Sequence, residues 1–200
     1  MTRIISGSAG GRRLVTPPGD ATRPTSDRVR EALFSMLEAR GAVAGARVLD
    51  LFAGSGALGL EAASRGAVAV TLVDSAPPAV AAARSNATVV TGPSGQGGVR
   101  VDVVRSTALR YLTRPDVGPF DLVLLDPPYP LGEDDLAEHL AALAGHGPVV
   151  SGHGLLADGA LVVVERSARS PQPRWPAGLV AEPVRRYGET ALWTAERAAP

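Results

Sequence analysis

The chain has 200 residues, 45% of them hydrophobic, and a formal net charge of zero, with every one of its twenty basic residues an arginine. That length suits one domain with a real core. The neutral balance argues against a general polycation, and the absence of cysteine excludes disulfides and thiolate-metal sites. No apolar run reaches the roughly 20 residues that span a membrane, and no signal-peptide core opens the chain, so a cytoplasmic protein is expected.

The first segment is predicted as a β-hairpin. Arg3-Ile4-Ile5 and Arg12-Arg13-Leu14-Val15 flank the turn-rich Gly7-Ser8-Ala9-Gly10-Gly11. A lone hairpin is marginal in water, so this one must rest on the body or on a partner. It carries little apolar surface and much charge. Arg3, Arg12, Arg13, Arg23, Arg28 and Arg30 precede residue 31, against only Asp20 and Asp27. Such asymmetry points to an anionic partner gripped through phosphates, although a purely structural arm is the plain alternative. After a Pro17-Pro18-Gly19-Asp20 turn, Thr25 or Ser26 can cap a helix whose apolar positions Val29, Leu33, Met36 and Leu37 share a face.

From Arg47 strands and helices alternate, as in a largely parallel sheet. Strands are predicted near 47–50, 69–74, 99–104, 120–125 and 160–165, and helices near 57–65, 77–86, 107–113 and 134–144. Residues 91–98 and 145–159 read as loops. Leu179 to Arg186 and Thr190 to Glu196 read as a closing antiparallel hairpin, for seven strands in all. There is no internal repeat.

Three strand ends carry chemistry. Val48-Leu49-Asp50-Leu51 runs into Phe52-Ala53-Gly54-Ser55-Gly56 and then a helix, a glycine turn that lets a ligand approach backbone closely. The strand ending at Asp74, with Ser75 after it, places a carboxylate about 20 residues beyond the glycines, the position of an acid that binds ribose hydroxyls. Phe120 to Leu125 ends in Asp126-Pro127-Pro128-Tyr129. The Asp126 carboxylate and Pro127 carbonyl can accept hydrogen bonds from an amine. The prolines stiffen the backbone, and Tyr129 offers a ring for stacking an extruded base. Glu61 reads as a packing or ion-pair residue. His139, His146 and His153 lack ligand spacing and read as structural or surface residues, so no metal site is expected.

Together the three strand ends resemble Rossmann-like methyltransferases that use S-adenosylmethionine, and Asp-Pro-Pro-Tyr resembles the subgroup acting on exocyclic amines. The likeness extends further. Arg3-Ile4-Ile5-x-Gly7, Gly11-Arg12-Arg13-Leu14, Arg23-Pro24-Thr25-x-Asp27-Arg28-Val29-Arg30-Glu31-Ala32-Leu33-Phe34 and Tyr187-Gly188-Glu189-Thr190 are similar to the RsmD family, bacterial enzymes that methylate the N2 amine of one guanine in 16S rRNA. The resemblance implies a seven-stranded, mostly parallel methyltransferase sheet over residues 21–200, with an RNA-contacting hairpin extension at 1–20. It implies S-adenosylmethionine as cofactor, and ribosomal RNA, in a small-subunit assembly particle, as partner of a monomeric enzyme. By the same resemblance Asp50, Phe52, Gly54, Gly56, Asp74 and Ser75 hold the cofactor, Asp126 to Tyr129 hold the target amine, and Arg23 and Thr25 are wall residues. One departure stands out: Thr107 occupies the place where related enzymes carry an acid for the adenine amine, so a hydroxyl or backbone group must serve there.

Two other readings compete. Asp-Pro-Pro-Tyr also occurs in adenine-N6 DNA methyltransferases, but 200 residues leave no separate target-recognition domain. A non-catalytic RNA-binding assembly factor on a degenerate fold is opposed by the intact Gly54, Gly56, Asp74 and Asp126-to-Tyr129 set.

Overall fold

A computed structural model of the chain describes residues 2–17, 26–92, 98–128, 130–146 and 154–198. Its frame is a sheet of β3 (Arg47–Leu51), β4 (Ala69–Asp74), β5 (Arg100–Arg105), β6 (Phe120–Leu125), β7 (Leu156–Ser167), β8 (Leu179–Ala181), β9 (Arg185–Tyr187) and β10 (Thr190–Arg197). The order is β5-β4-β3-β6-β7-β10-β8, with β9 also on β10. The first five are parallel, and β10 runs antiparallel to β7. A separate ribbon of β1 (Thr2–Arg3) and β2 (Arg13–Leu14) forms the predicted N-terminal hairpin.

Side chains alternate across each strand, so the sheet has two cores. Val48, Leu72, Leu122, Leu124 and Val163 face one way, against α1 (Asp27–Ala39), α2 (Ala57–Ser64) and α3 (Pro77–Thr91). Leu49, Leu51, Val123, Leu125 and Val162 face the other, against α4 (Ala108–Leu112) and α5 (Glu133–Leu143). Local sequence sets the helix starts. Ser26 caps α1 by accepting the Val29 N–H at 3.2 Å, and Pro77 and Pro78 fill the first turn of α3, where a missing N–H costs nothing.

Three expectations need correction. The strand predicted at 160–165 already begins at Leu156, and its register against β6 shifts between the Phe120–Leu156 and Leu122–Leu161 pairs. Asp158-Gly159 looks like a loop in sequence because it carries that irregularity, with Gly159 at φ +72°. The closing hairpin's first strand is split into β8 and β9, so the described residues form eight strands in this sheet rather than seven. Between them Glu182-Pro183-Val184 lie opposite only Trp193-Thr194, and Pro183 has no N–H for the ladder. Finally, the hairpin is not poor in buried surface: Ile4, Ala9 and Leu14 are buried members of the first core.

Strand order reverses between β3 and β6, the first strand of each half. The carboxyl ends of these two strands therefore open a crevice where one half winds away from the other. Register sets what lines it. Leu51 pairs with Val73 on one side and Leu125 on the other, so Phe52, Asp74 and Asp126 leave the sheet from one row.

Candidate active site

The β3–α2 turn is built by backbone conformation. Phe52 has φ +63°, and Gly54 and Gly56 have φ +56° and +79°. A β-carbon on Gly54 would meet nothing within 4 Å, so no protein atom crowds that position. Gly56 is different. A β-carbon there would come to 2.8 Å of Leu72 Cδ1, so the protein's own core already requires a glycine at this position. Gly59, which the sequence reading missed, is tighter still: its β-carbon would lie 2.4 Å from Leu72 Cδ2. Both are needed because the helix following β3 packs directly on β4, a contact that no local pattern reveals.

Asp74 locks this turn. One oxygen accepts the Gly54 N–H and the other the Ala76 N–H, both at 2.8 Å. Each oxygen keeps a lone pair for a ligand hydroxyl. Asp50 lies deeper. It is 1% exposed, accepts the Gly59 N–H at 2.8 Å, and burial, with Asp74 adding like charge, pushes its carboxyl up to about 7. A cationic ligand group would reverse that cost.

Beyond Asp74 the crevice has a volume of about 320 Å³ and is lined by Phe52, Asp74, Ser75, Thr107, Leu131 and His139, among others. Four of the residues singled out for a cofactor, Phe52, Asp74, Ser75 and Thr107, thus meet around one space. Thr107 caps α4, accepting the Arg110 N–H at 3.4 Å. His139, expected to be structural or superficial, is buried with its ring 5.5 Å from the Phe52 ring.

Asp126 is half-buried at the end of β6, Pro127 is buried and Pro128 is exposed. The Pro128 carbonyl closes a turn with Leu131 N–H at 2.9 Å. Arg166 braces the same loop, donating to the Leu131 carbonyl at 3.1 Å and to Glu133 at 2.6 Å. No sequence signal pointed to it. Tyr129, Arg23, Thr25 and His153 lie outside the described residues.

The basic N-terminal set divides. Arg13 and Arg28 are exposed; Arg3 is exposed and pairs with Asp27 at 3.2 Å; Arg12 donates to the Val89 carbonyl from an exposed position. Arg30 corrects the expectation of a phosphate contact. It is 1% exposed, donates to the Arg3 carbonyl at 2.6 Å, and sits 3.8 Å from Glu61; burial lowers its pKa. A guanidinium sealed in the core cannot meet a phosphate.

The arm is tied to the site. Glu61, fully buried and charge-paired as its packing role predicts, accepts the Ile5 and Ser6 N–H groups at 2.7 and 3.0 Å and pairs with Arg65 at 2.7 Å. Asn86, another residue missed in sequence, exchanges hydrogen bonds with the Val15 backbone and donates to the Ser55 carbonyl, all at 2.8 Å. One buried amide in an alanine-rich helix was its only sequence signal. It joins the arm to the glycine turn.

The model of the family described as conserved hypothetical protein 95 matches residues 2–196. The chain belongs to this family, that of RsmD. It is 37% identical over 175 residues to ribosomal RNA small subunit methyltransferase D of Escherichia coli K12, covering 88% of this chain and 79% of that protein. It is 34% identical over 190 residues to the putative rRNA methyltransferase YlbH of Bacillus subtilis, covering 95% and 96%. The solved structure of the putative methyltransferase yhhF from Escherichia coli superposes with a TM-score of 0.82 at 33% identity, covering 100% and 99%. Magnesium protoporphyrin IX methyltransferase from Synechocystis, solved with bound SAM, shares the fold at a TM-score of 0.63 and 16% identity, over 86% and 79%. The Rossmann-like methyltransferase sheet expected from the motifs is the sheet of this family member.

Proposed function

We propose that this chain transfers a methyl group from S-adenosylmethionine to the exocyclic N2 of a guanine in small-subunit ribosomal RNA, acting as a monomer on an assembling particle in the cytoplasm. Membership of the family and the names of its relatives support the rRNA substrate. The observation that carries the chemistry is the single row of strand ends that sets Phe52 and Asp74 beside Asp126.

The residues present fit the cofactor. Asp74 has lone pairs for ribose hydroxyls, open space lies at Gly54, and Asp50 is a buried carboxyl that a ligand ammonium would ionise. Gly56 acts from below by shaping the turn. When bound, the sulfonium supplies an already activated methyl group. The protein's remaining task is placement. Guanine N2 is a weak nucleophile because its lone pair is delocalised into the ring. Asp126 and the Pro127 carbonyl accept its N–H groups, orient the lone pair toward the methyl group and favour charge developing on nitrogen. The two prolines hold these acceptors still, and Tyr129 stacks the extruded base.

Exposed Arg3, Arg12, Arg13 and Arg28, with Arg23, form the phosphate-gripping face, with residues 1–20 as the RNA-contacting extension. Mapping N2-methylated guanines in rRNA from cells lacking the protein tests the reading; an unchanged 16S pattern refutes it. In purified form, Asp126→Ala should slow single-turnover transfer about 10²–10³-fold while keeping cofactor affinity. Undiminished transfer would remove Asp126 from the reaction.

A further inference from the structure

The crevice next to Asp74 lacks the usual acid for an adenine amine, and the stand-in at that place is poorly equipped. Thr107 is exposed, and its hydroxyl oxygen already accepts the Arg110 N–H as the cap of α4. Asp135 and Glu138 also border the space, but both are exposed, and a solvated carboxylate loses little when a ligand fails to bond it.

His139 differs from all three. It projects from α5 into the lining of the crevice, is 8% exposed and packs its ring against Phe52 at 5.5 Å. Its Nδ1 bonds the backbone carbonyl of Asp135. A carbonyl can only accept, so Nδ1 is the donor of this bond, which leaves Nε2 as the ring's acceptor position. Among the described residues Nε2 makes no hydrogen bond, and the ring that carries it lines the cavity. An unpartnered ring nitrogen on a mostly buried side chain in the wall of a ligand crevice is an acceptor awaiting an N–H donor.

We infer that His139 reads the adenine of the cofactor, its Nε2 accepting a hydrogen bond from the N6 amine. The inference rests on the crevice being the adenosyl site. It assigns the missing acid's task to an imidazole on the helix after β6. The fixed tautomer gives discrimination. An adenosyl group presents an amine to Nε2. An inosyl group presents an oxygen, so two acceptors face each other and the site's lone pair is left unpaired.

Calorimetry with S-adenosylhomocysteine and S-inosylhomocysteine tests this. The native protein should prefer the adenosyl ligand at least tenfold. His139→Phe keeps a ring against Phe52 without an acceptor, and should bring the two affinities to within about threefold. His139→Gln places an amide oxygen at similar reach and should restore most of the preference, with melting temperatures checking that all variants fold. A folded His139→Phe that discriminates like the native protein overturns the assignment, as does a native protein with no preference. Asp74→Ala separates this from the reading beneath it. If that change weakens both ligands alike while His139→Phe does nothing, the crevice is the adenosyl site and only the role of His139 fails. If Asp74→Ala alters neither affinity, the crevice reading fails and the inference with it.

Discussion

Asp50 and Glu61 are both buried carboxylates on neighbouring elements, and the protein treats them in opposite ways. Glu61 is surrounded by donors: two backbone N–H groups of the arm, the Arg65 guanidinium at 2.7 Å and the Arg30 guanidinium at 3.8 Å. Among the described residues Asp50 receives one donor, the Gly59 N–H, and has another carboxylate, Asp74, as its electrostatic neighbour. Glu61 is a closed account of charge inside the fold. Asp50 is buried with its carboxyl raised to about 7, which leaves it able to respond to a cation that comes close. Burial alone therefore does not mark a functional acid; the lack of internal compensation does.

The comparison breaks most severely at Glu61. Glu61→Ala should destabilise the chain by about 3–5 kcal/mol, because it takes the buried carboxylate away from Arg30 and Arg65, which keep only partly exposed acids, and leaves two backbone donors unsatisfied. Urea denaturation measures it. A loss below about 1 kcal/mol would show that the arm socket contributes no compensation. The cofactor affinity of the fraction that remains folded should change little.

Asp50→Asn should act in the opposite sense. Between the usual carboxylate range and about pH 7 the folded chain holds a proton that the unfolded chain has lost, so native stability falls as pH rises through that window. An amide keeps an acceptor for Gly59 and carries no charge. The variant should gain stability on the order of 2 kcal/mol at pH 8 and almost nothing near pH 4. Its affinity for S-adenosylmethionine should drop at least tenfold, and native affinity should decline as pH falls below 7, when the carboxyl protonates. Equal stability of the two proteins at pH 8 would show that Asp50 is compensated after all.

What was legible in sequence follows the same division. The strand ends at Asp50, Asp74 and Asp126 could be read because apolar runs in a parallel sheet stop abruptly at the residues that do chemistry. The partners of those residues come from elsewhere in the chain and could not. Arg30 looks like its neighbour Arg28, yet a helix turns one into the core toward Glu61 and the other into solvent. The demand for glycine at 56 and 59 is set by Leu72 on the next strand. His139 has no motif; its meaning comes from Phe52, nearly ninety residues earlier, and from a bond to its own helix. The split of the closing hairpin was visible only in Pro183.

The smallest effect belongs to the arm's outer face, where the comparison becomes one between arginines. Residues 1–15 cannot simply be removed, because Ile4, Ala9 and Leu14 fill the core and the arm's backbone satisfies Glu61. The inner side is structural, so the proposed RNA-binding role must be sought in side chains that point away from it. Arg12 and Arg13 are exposed, and the bond from Arg12 to the Val89 carbonyl lies at the surface. Arg12→Ala with Arg13→Ala should therefore leave the melting temperature nearly unchanged. If both side chains meet phosphates, the slope of log affinity for 16S rRNA against log salt should fall by about one to two units, since each lost contact no longer releases its counterions. Arg30→Ala should do the reverse, lowering the melting temperature while the RNA affinity per folded molecule keeps its salt slope. An unchanged slope in the double variant would assign the exposed arginines, like the buried one, to the fold and not to the substrate.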